Sequence, residues 1–270
     1  MIDLHCHILP GIDDGPELLD ESIEMCRIAV NDGISKVVCT PHHVVGEYNN
    51  NRKKIIRCVK KLQASIDSEH IPLTLCPGCE IRFDLNLVEK IKAGELMAMN
   101  DSGRYITLEL LGEALPRNIE EIISSLIFAG IIPIIAHPER NLVIRSNPEI
   151  IYRLVQLGAL AQLTASSLTG RLGSRIEKFS VFLLEHNLAH MLVTDAHSSR
   201  RRRPVLSEGL KRLKEIVGEK TAMEMVAAIP EKILNGEDID VEFPIPLEKK
   251  SVWKINSFIS KVLKKRPISA

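Results

Sequence analysis

Short runs rich in β-branched and apolar residues alternate along the chain with longer stretches in which apolar residues return every three or four positions. Seven runs have strand character: Ile2 to Cys6, Lys36 to Thr40, Leu73 to Cys76, Tyr105 to Leu110, Ile132 to Ala136, Leu160 to Thr164 and Met191 to Thr194. Between them a helical period marks Glu17 to Asn31, Lys53 to Ser65, Asn118 to Ala129, Glu149 to Leu157, Ser174 to His186 and Ser207 to Val217. In the first of these, Leu19, Ile23, Cys26 and Val30 share one face and Gly33 ends the helix. Such alternation predicts an α/β fold with a largely parallel sheet.

The polar residues at the strand ends carry the chemistry. The runs end in, or lead into, His5 and His7, His42, Glu80, Glu109, His137, the stretch Gln162 to Ser167, and Asp195 with His197. In a parallel α/β barrel the carboxyl ends of all strands meet on one face, where active sites form. The pattern therefore predicts one shared site on one barrel of residues 1–248, followed by a tail of residues 249–270.

Composition narrows the class. With 270 residues, 45% hydrophobic and 26% charged, the chain reads as an ordinary globular protein. Its longest nearly apolar run, Phe128 to Ala136, is broken by Gly130 and Pro133 and falls short of the roughly 18 residues of a membrane span. The opening Met1-Ile2-Asp3-Leu4-His5 has no secretory character, so a cytoplasmic location is expected, with the six cysteines as reduced thiols. Equal numbers of basic and acidic residues, 35 each, argue against a nucleic-acid partner. The balance is uneven, because the tail holds Lys249, Lys250, Lys254, Lys261, Lys264, Lys265 and Arg266 with no acid among them.

His5-x-His7 on a strand presents two imidazoles to one face, and Asp195-x-His197 repeats the spacing with a carboxylate. Either pair alone is weak, but nine residues, His5, His7, Asp14, His42, Glu80, Glu109, His137, Asp195 and His197, sit at or just after strand ends. Burying so many ionisable groups without ions would be costly. Imidazole and carboxylate without thiolate suit Mn²⁺, Fe or Zn²⁺ in an open catalytic site, and nine ligands exceed the needs of one ion. Several clustered metals that activate water and clamp phosphoryl oxygens are the natural reading.

At these residues the chain resembles the polymerase and histidinol phosphatase (PHP) superfamily, and within it the bacterial capsule-type protein-tyrosine phosphatases called CpsB, CapC or YwqE. The resemblance covers about residues 1–240. It rests on His5-Cys6-His7-Ile8-Leu9-Pro10-Gly11-Ile12-Asp13-Asp14-Gly15-Pro16, Thr40-Pro41-His42-His43, Gly78-Cys79-Glu80-Ile81-Arg82, Ala136-His137-Pro138-Glu139-Arg140 and Thr194-Asp195-Ala196-His197. It implies a distorted seven-stranded parallel (β/α) barrel of PHP type holding three divalent metal ions, commonly Mn²⁺. The implied sites are His5, His7, Glu80 and Asp195; Glu80, Glu109 and His137; and Asp14, His42 and His197. The implied activity is hydrolysis of phosphotyrosine by a metal-activated hydroxide, on a membrane-associated capsule or exopolysaccharide tyrosine kinase. The resemblance also implies that Arg140 binds phosphate, together with Arg202 or Arg203. Thr164 stands where relatives often carry Asn.

Rival readings exist. A small-molecule phosphatase of the histidinol-phosphate type fits the same ligands, and a metal-stabilised regulatory module without turnover is the alternative outside enzymes. Cys76-Pro77-Gly78-Cys79 matches a redox motif, and Cys76 to Arg82 matches the Cys-x5-Arg of thiol phosphatases, but Glu80 would put a negative charge inside such a phosphate cradle. His43 is a candidate proton carrier or partner of a ligand. His70, His186 and His190 are expected at the surface or at caps. In the tail, Val252, Ile255, Ile259, Val262 and Leu263 form an apolar stripe flanked by lysines. It is able either to pack on the barrel or to make peripheral contact with an anionic membrane.

Overall fold

The computed structural model describes residues 1–83, 86–110 and 115–247. The expected basic tail, 249–270, and the last residue of the expected barrel domain lie outside the described residues. Among these residues no helix is long and apolar enough to cross a membrane.

The chain runs β1 (Ile2–Cys6), α1 (Leu19–Asn31), β2 (Lys36–Cys39), β3 (His42–His43), α2 (Arg52–Ser68), β4 (Thr74–Pro77), β5 (Glu80–Arg82) and α3 (Leu87–Lys92). It continues with β6 (Tyr105–Glu109), α4 (Ile119–Phe128), β7 (Ile132–Ala136), α5 (Leu142–Ser146), α6 (Glu149–Gln156), β8 (Leu160–Thr164) and α7 (Ala165–Leu168). The last elements are α8 (Ser174–Glu185), β9 (Met191–Val193), α9 (Ser207–Val217), α10 (Glu219–Met223) and α11 (Ile229–Leu234).

Every strand ladder is parallel, and β1, β6, β7 and β8 are buried almost throughout, as expected of strands covered by helices. The seven expected runs are present as strands, and two short strands that were not expected, β3 and β5, follow two of them. Thr40-Pro41 separates β2 from β3, and Gly78-Cys79 separates β4 from β5, so the strands form sheets in the orders β1-β2-β4 and β3-β5-β6-β7-β8-β9. The two breaks lie against each other: a Cβ on Gly78 would sit 3.3 Å from Thr40 Cγ2, and Glu80 N–H donates to Pro41 O at 3.1 Å. β1 and the segment after β9 meet through a parallel bridge, Cys6 to Ala196, with Asp195 N–H donating to His5 O and His7 N–H to Ala196 O at 2.8 Å each. The ring of strands is thus distorted and is not one continuous ladder.

A larger apolar core lies between the strands and the helices. A smaller one, with Ile2, Leu4, Val38, Tyr105, Ile134 and Met191, fills the inside of the ring, where Ile233 and Leu234 of α11 plug the amino-terminal end. Burying a leucine fully contributes about 1.5–3 kcal/mol, so this plug fixes the floor on which the ligand-bearing strand ends stand.

Candidate metal centre and phosphate pocket

β1 carries one extra residue against β2 between Asp3 and Cys6, a bulge at the point where His5 is aimed into the site. His5 and His7 face each other with Nε2 atoms 3.1 Å apart. Each ring is held from behind. The Gln162 side-chain amide on β8 meets His5 Nδ1, and Asp13 Oδ2 lies 2.8 Å from His7 Nδ1. The amide nitrogen, Nε2, is the atom placed against Nδ1; turning the amide over so that Oε1 accepts from Nδ1–H gives Oε1 a partner and leaves His5 a bare Nε2. Asp13 also accepts the N–H groups of Gly15 and His42, each at 3.0 Å, so the Asp-Asp-Gly turn both orients His7 and docks β3.

Glu80 opens β5 opposite His42 and stands at the centre of the cluster. Its Oε2 lies 3.3 Å from His5 Nε2, 3.2 Å from His7 Nε2 and 3.1 Å from His42 Nδ1, while Oε1 lies 2.9 Å from His137 Nε2. Asp195 Oδ1 is 3.4 Å from His5 Nε2 and 3.6 Å from His7 Nε2. Asp14 Oδ1 is 3.5 Å from His42 Nε2 and 3.3 Å from His197 Nε2, and the His197 ring stacks on His7 at 3.8 Å. His137 and Asp195 both hold positive φ, 34° and 51°, uncommon for residues with a Cβ and a form of backbone strain that clusters at functional sites.

Among the described residues, donor atoms within 4.8 Å of one another form three overlapping groups: His5, His7, Glu80 and Asp195; His7, Asp14, His42 and His197; and His42, Glu80 and Glu109. The first is the group expected. In the second, His7 joins Asp14, His42 and His197. In the third, His42 stands where His137 was expected, because His137 approaches the opposite oxygen of Glu80. Glu109 Oε2 lies 4.0 Å from His42 Nδ1 and accepts from Arg82 Nε at 3.0 Å.

The groups suit divalent cations. Glu80 Oε2 and His42 Nδ1 are buried and 3.1 Å apart, yet not aligned for a hydrogen bond, so both lack a hydrogen-bond partner. Cations between these donors would satisfy them. Burial opposes the Glu80 charge, but the imidazoles of His5, His137 and His7 outweigh it and hold the acid well below the usual carboxylate range. Asp195 is likewise buried, and Arg140 with the nearby histidines keeps it ionised. Burial would lower His7, but Asp13 and Glu80 raise it to about 10, so an ion bound at this ring must displace its proton.

The second oxygen of Asp195 faces the arginines. Arg140 Nη1 donates to Oδ2, and Arg202 Nη2 does so at 2.6 Å. Arg140 Nη2 also donates to Thr164 Oγ1 at 3.1 Å, and buried Glu139 accepts from both Thr164 N–H and Oγ1 at 3.1 Å. The Thr164 hydroxyl thereby positions Arg140.

The sequence profile described as capsular polysaccharide synthesis, CpsB/CapC, matches residues 1–235. The chain belongs to the CpsB/CapC family. It is 37% identical to the tyrosine-protein phosphatase YwqE of Bacillus subtilis over 253 residues, covering 94% of this chain and 99% of that protein. It is 34% identical to the putative tyrosine-protein phosphatase CapC of Staphylococcus aureus, covering 94% and 98%. In structure it is similar, at a TM-score of 0.88 and 38% identity, to a chain from the work on YwqE and Streptococcus pneumoniae CpsB, described there as metal-dependent tyrosine phosphatases; 92% of this chain and 100% of that one are covered. The histidinol phosphate phosphatase of Lactococcus lactis shares the fold, at a TM-score of 0.55 and 14% identity, covering 82% and 94%.

Within this CpsB/CapC chain, Arg202 reaches Asp195, whereas Arg203 forms no ion pair with any described residue. His43 Nδ1 lies 3.3 Å from Asn50 O, and His43 belongs to none of the three ligand groups. His70 is exposed and His186 half-buried, but the surface expected for His190 is wrong: it is 5% exposed, and its Nδ1 accepts from Ala161 N–H at 3.0 Å. Cys76 and Cys79 are buried with thiols pushed up by burial, the reverse of what a nucleophilic thiolate needs.

Sequence reasoning assigned no role to Asp13, Glu139 or Asp3, and named Gln162 only within the polar stretch at the end of its strand. Asp13 had a legible signal in Asp-Asp-Gly, where the first Asp accepts from the N–H two residues on. Asp3 had none. It is fully buried, accepts from Thr194 N–H at 3.0 Å and from Thr194 Oγ1 at 2.5 Å, and is raised by burial to about 6. It ties β1 to the end of β9 beneath the ligands.

Proposed function

We propose that the chain is a metal-dependent protein-tyrosine phosphatase that binds three divalent ions, Mn²⁺ foremost, and hydrolyses phosphotyrosine in a partner protein. The observation that carries this is the three ligand groups fused at Glu80, His7 and His42 beside two arginines on Asp195. His5, His7, Glu80 and Asp195 would hold one ion, Glu80, Glu109, His42 and His137 a second, and Asp14, His42, His197 and His7 a third. Divalent ions bound there lower the pKa of water toward neutrality and neutralise phosphoryl charge.

The chain's own residues do the rest. Arg140 and Arg202 turn their free N–H groups to the phosphate oxygens and stabilise charge as the P–O bond breaks. Asp13 and Gln162 keep the His7 and His5 rings in orientation. A phenol of pKa about 10 leaves with little need of a proton, so no dedicated general acid is required, and His43 is at most a peripheral proton carrier.

The substrate fitting this reading is a phosphorylated capsule or exopolysaccharide tyrosine kinase at the membrane, met in the cytoplasm, with the basic tail of residues 249–270 outside the barrel domain available for peripheral membrane contact. The deciding experiment compares phosphotyrosine peptide with histidinol phosphate after chelation and Mn²⁺ readdition. Activity on the peptide should vanish on chelation, return with Mn²⁺, and be nearly absent in Glu80→Gln. Full turnover in a metal-free sample, or preference for histidinol phosphate, refutes the proposal.

A further inference from the structure

We propose that the arginine-lined cavity beside the metal centre is a second anion subsite that selects phosphotyrosine segments carrying another anionic side chain, a carboxylate or a second phosphate, near the reacting residue. The inference rests on the phosphatase reading and specifies its substrate.

The cavity, about 420 Å³, lies between the segment after β9, the end of α7 and the start of α9. Its lining holds five arginines, Arg140, Arg171, Arg201, Arg202 and Arg203, against two acids, Asp195 and Glu208. Asp195 already serves Arg140 and Arg202. Glu208 pairs with Arg171 at 2.6 Å, but both side chains are more than half exposed, and a pair so open to water contributes little and yields to a competing anion. Arg201 and Arg203 form no ion pair with any described residue. Once a phosphate docks at Arg140 and Arg202, three cations remain around the cavity.

A run such as Arg200 to Arg203 usually ends as a solvated, mobile face, but here the backbone is tied down. Ser198 Oγ accepts the N–H groups of Arg201 and Arg202 at 3.2 Å each, and Arg202 O accepts those of His197 and Ser198 at 2.9 and 3.1 Å. Ser199 bonds Glu21 of α1 through its N–H and hydroxyl, both at 3.2 Å. The turn presents its arginines from a fixed backbone, which reduces the ordering cost of binding an anion. The floor is equally set: a Cβ on Gly209 would lie 2.6 Å from Ala165 Cβ, so α9 is pressed onto α7. Ala165, Leu172 and Val205 supply apolar wall for the stem of a side chain, while like charges crowded around it favour an anion at its end. Arg202 belongs to both places, contacting Asp195 and lining the cavity, so the second anion sits one arginine away from the reacting phosphate.

The test uses the full chain loaded with Mn²⁺ and four substrates: phenyl phosphate, a phosphotyrosine peptide flanked by Asp and Glu, its Asn and Gln counterpart, and a doubly tyrosine-phosphorylated peptide. At low salt the acidic and doubly phosphorylated peptides should exceed the neutral one about tenfold in kcat/KM, mostly through KM, and the gap should shrink in about 0.5 M NaCl. Their ranking against each other tells carboxylate from phosphate. The double variant Arg201→Gln, Arg203→Gln should close the gap while phenyl phosphate turnover stays within about twofold. Glu208→Gln should widen it, an opposite sign that general damage to the fold cannot produce. Equal kcat/KM for acidic and neutral peptides, with normal phenyl phosphate turnover, overturns the subsite alone, as does a gap that survives the double variant. No hydrolysis of any substrate overturns the phosphatase reading and the subsite with it.

Discussion

His190 offers the sharpest quantitative test of the fold that carries the site. It precedes β9 and clasps β8 twice: its N–H donates to Ala161 O at 2.9 Å, and its Nδ1 accepts from Ala161 N–H at 3.0 Å. The next residue, Gln162, holds the His5 ring. Burial pushes His190 down to about 4 from its ordinary 6.5, and a proton on Nδ1 would also collide with the Ala161 N–H. Above pH 6.5 the ring is neutral in both folded and unfolded chains and the clasp has its full strength. As pH falls from 6.5 to 4, the unfolded chain takes a proton that the folded chain refuses, so stability is lost. The full loss is about 3 kcal/mol below pH 4, and about 2 kcal/mol has gone by pH 5. His190→Asn keeps an acceptor for Ala161 N–H but cannot titrate. Urea unfolding of wild type and variant, both in chelator so that the metal ligands titrate alike, gives the stability difference at pH 7.5 and pH 5. Wild type should be ahead at pH 7.5 by the packing of the ring, and its advantage should fall by about 2 kcal/mol at pH 5. An advantage equal at the two pH values would refute a buried, neutral His190.

Three further outcomes follow from the site. Arg140→Ala should cost about 10²–10³ in kcat on phenyl phosphate and Arg202→Ala a comparable factor, whereas Arg203→Ala should stay within about twofold; equal mild losses at all three would mean a solvated patch. Cys76→Ser should retain most turnover, since its thiol is buried and pushed up, and a trapped phosphocysteine would overturn that reading. Gly15→Ala would bring a Cβ to 2.5 Å from the His7 carbonyl and displace Asp13 and Asp14, so calorimetric titration should show metal affinity lower by about tenfold with the far-ultraviolet circular dichroism preserved; unchanged affinity would count against the role of this turn.

The site also explains why so many ionisable groups tolerate burial. Glu80 is 1% exposed among four imidazoles, and removing one partner from such a cluster leaves a charge without compensation, a loss of about 3–5 kcal/mol where it has been measured. The same crowding holds a proton on His7 when no ion is bound, which couples metal affinity to pH.

The strand and helix alternation was legible along the chain, because periodicity is written in neighbouring residues: α2, expected over Lys53 to Ser65, spans Arg52–Ser68, and α9 spans Ser207–Val217 as read. Which residue types gather was legible too, since parallel strands place their carboxyl ends on one face and the histidines and acids lie there. Tertiary structure alone decided the grouping. His42 rather than His137 joins Glu80 and Glu109 because β3 and β5 are broken away from β2 and β4 and pair in register with each other. Arg202 rather than Arg203 meets Asp195 because a hydrogen-bonded turn sets which side chain points inward, a matter of one residue that no period encodes. Asp3 meeting Thr194, Gln162 meeting His5 and the burial of His190 each join segments distant in the chain. Such contacts exist only once the strands have packed, and their energetics depend on the water that packing excludes.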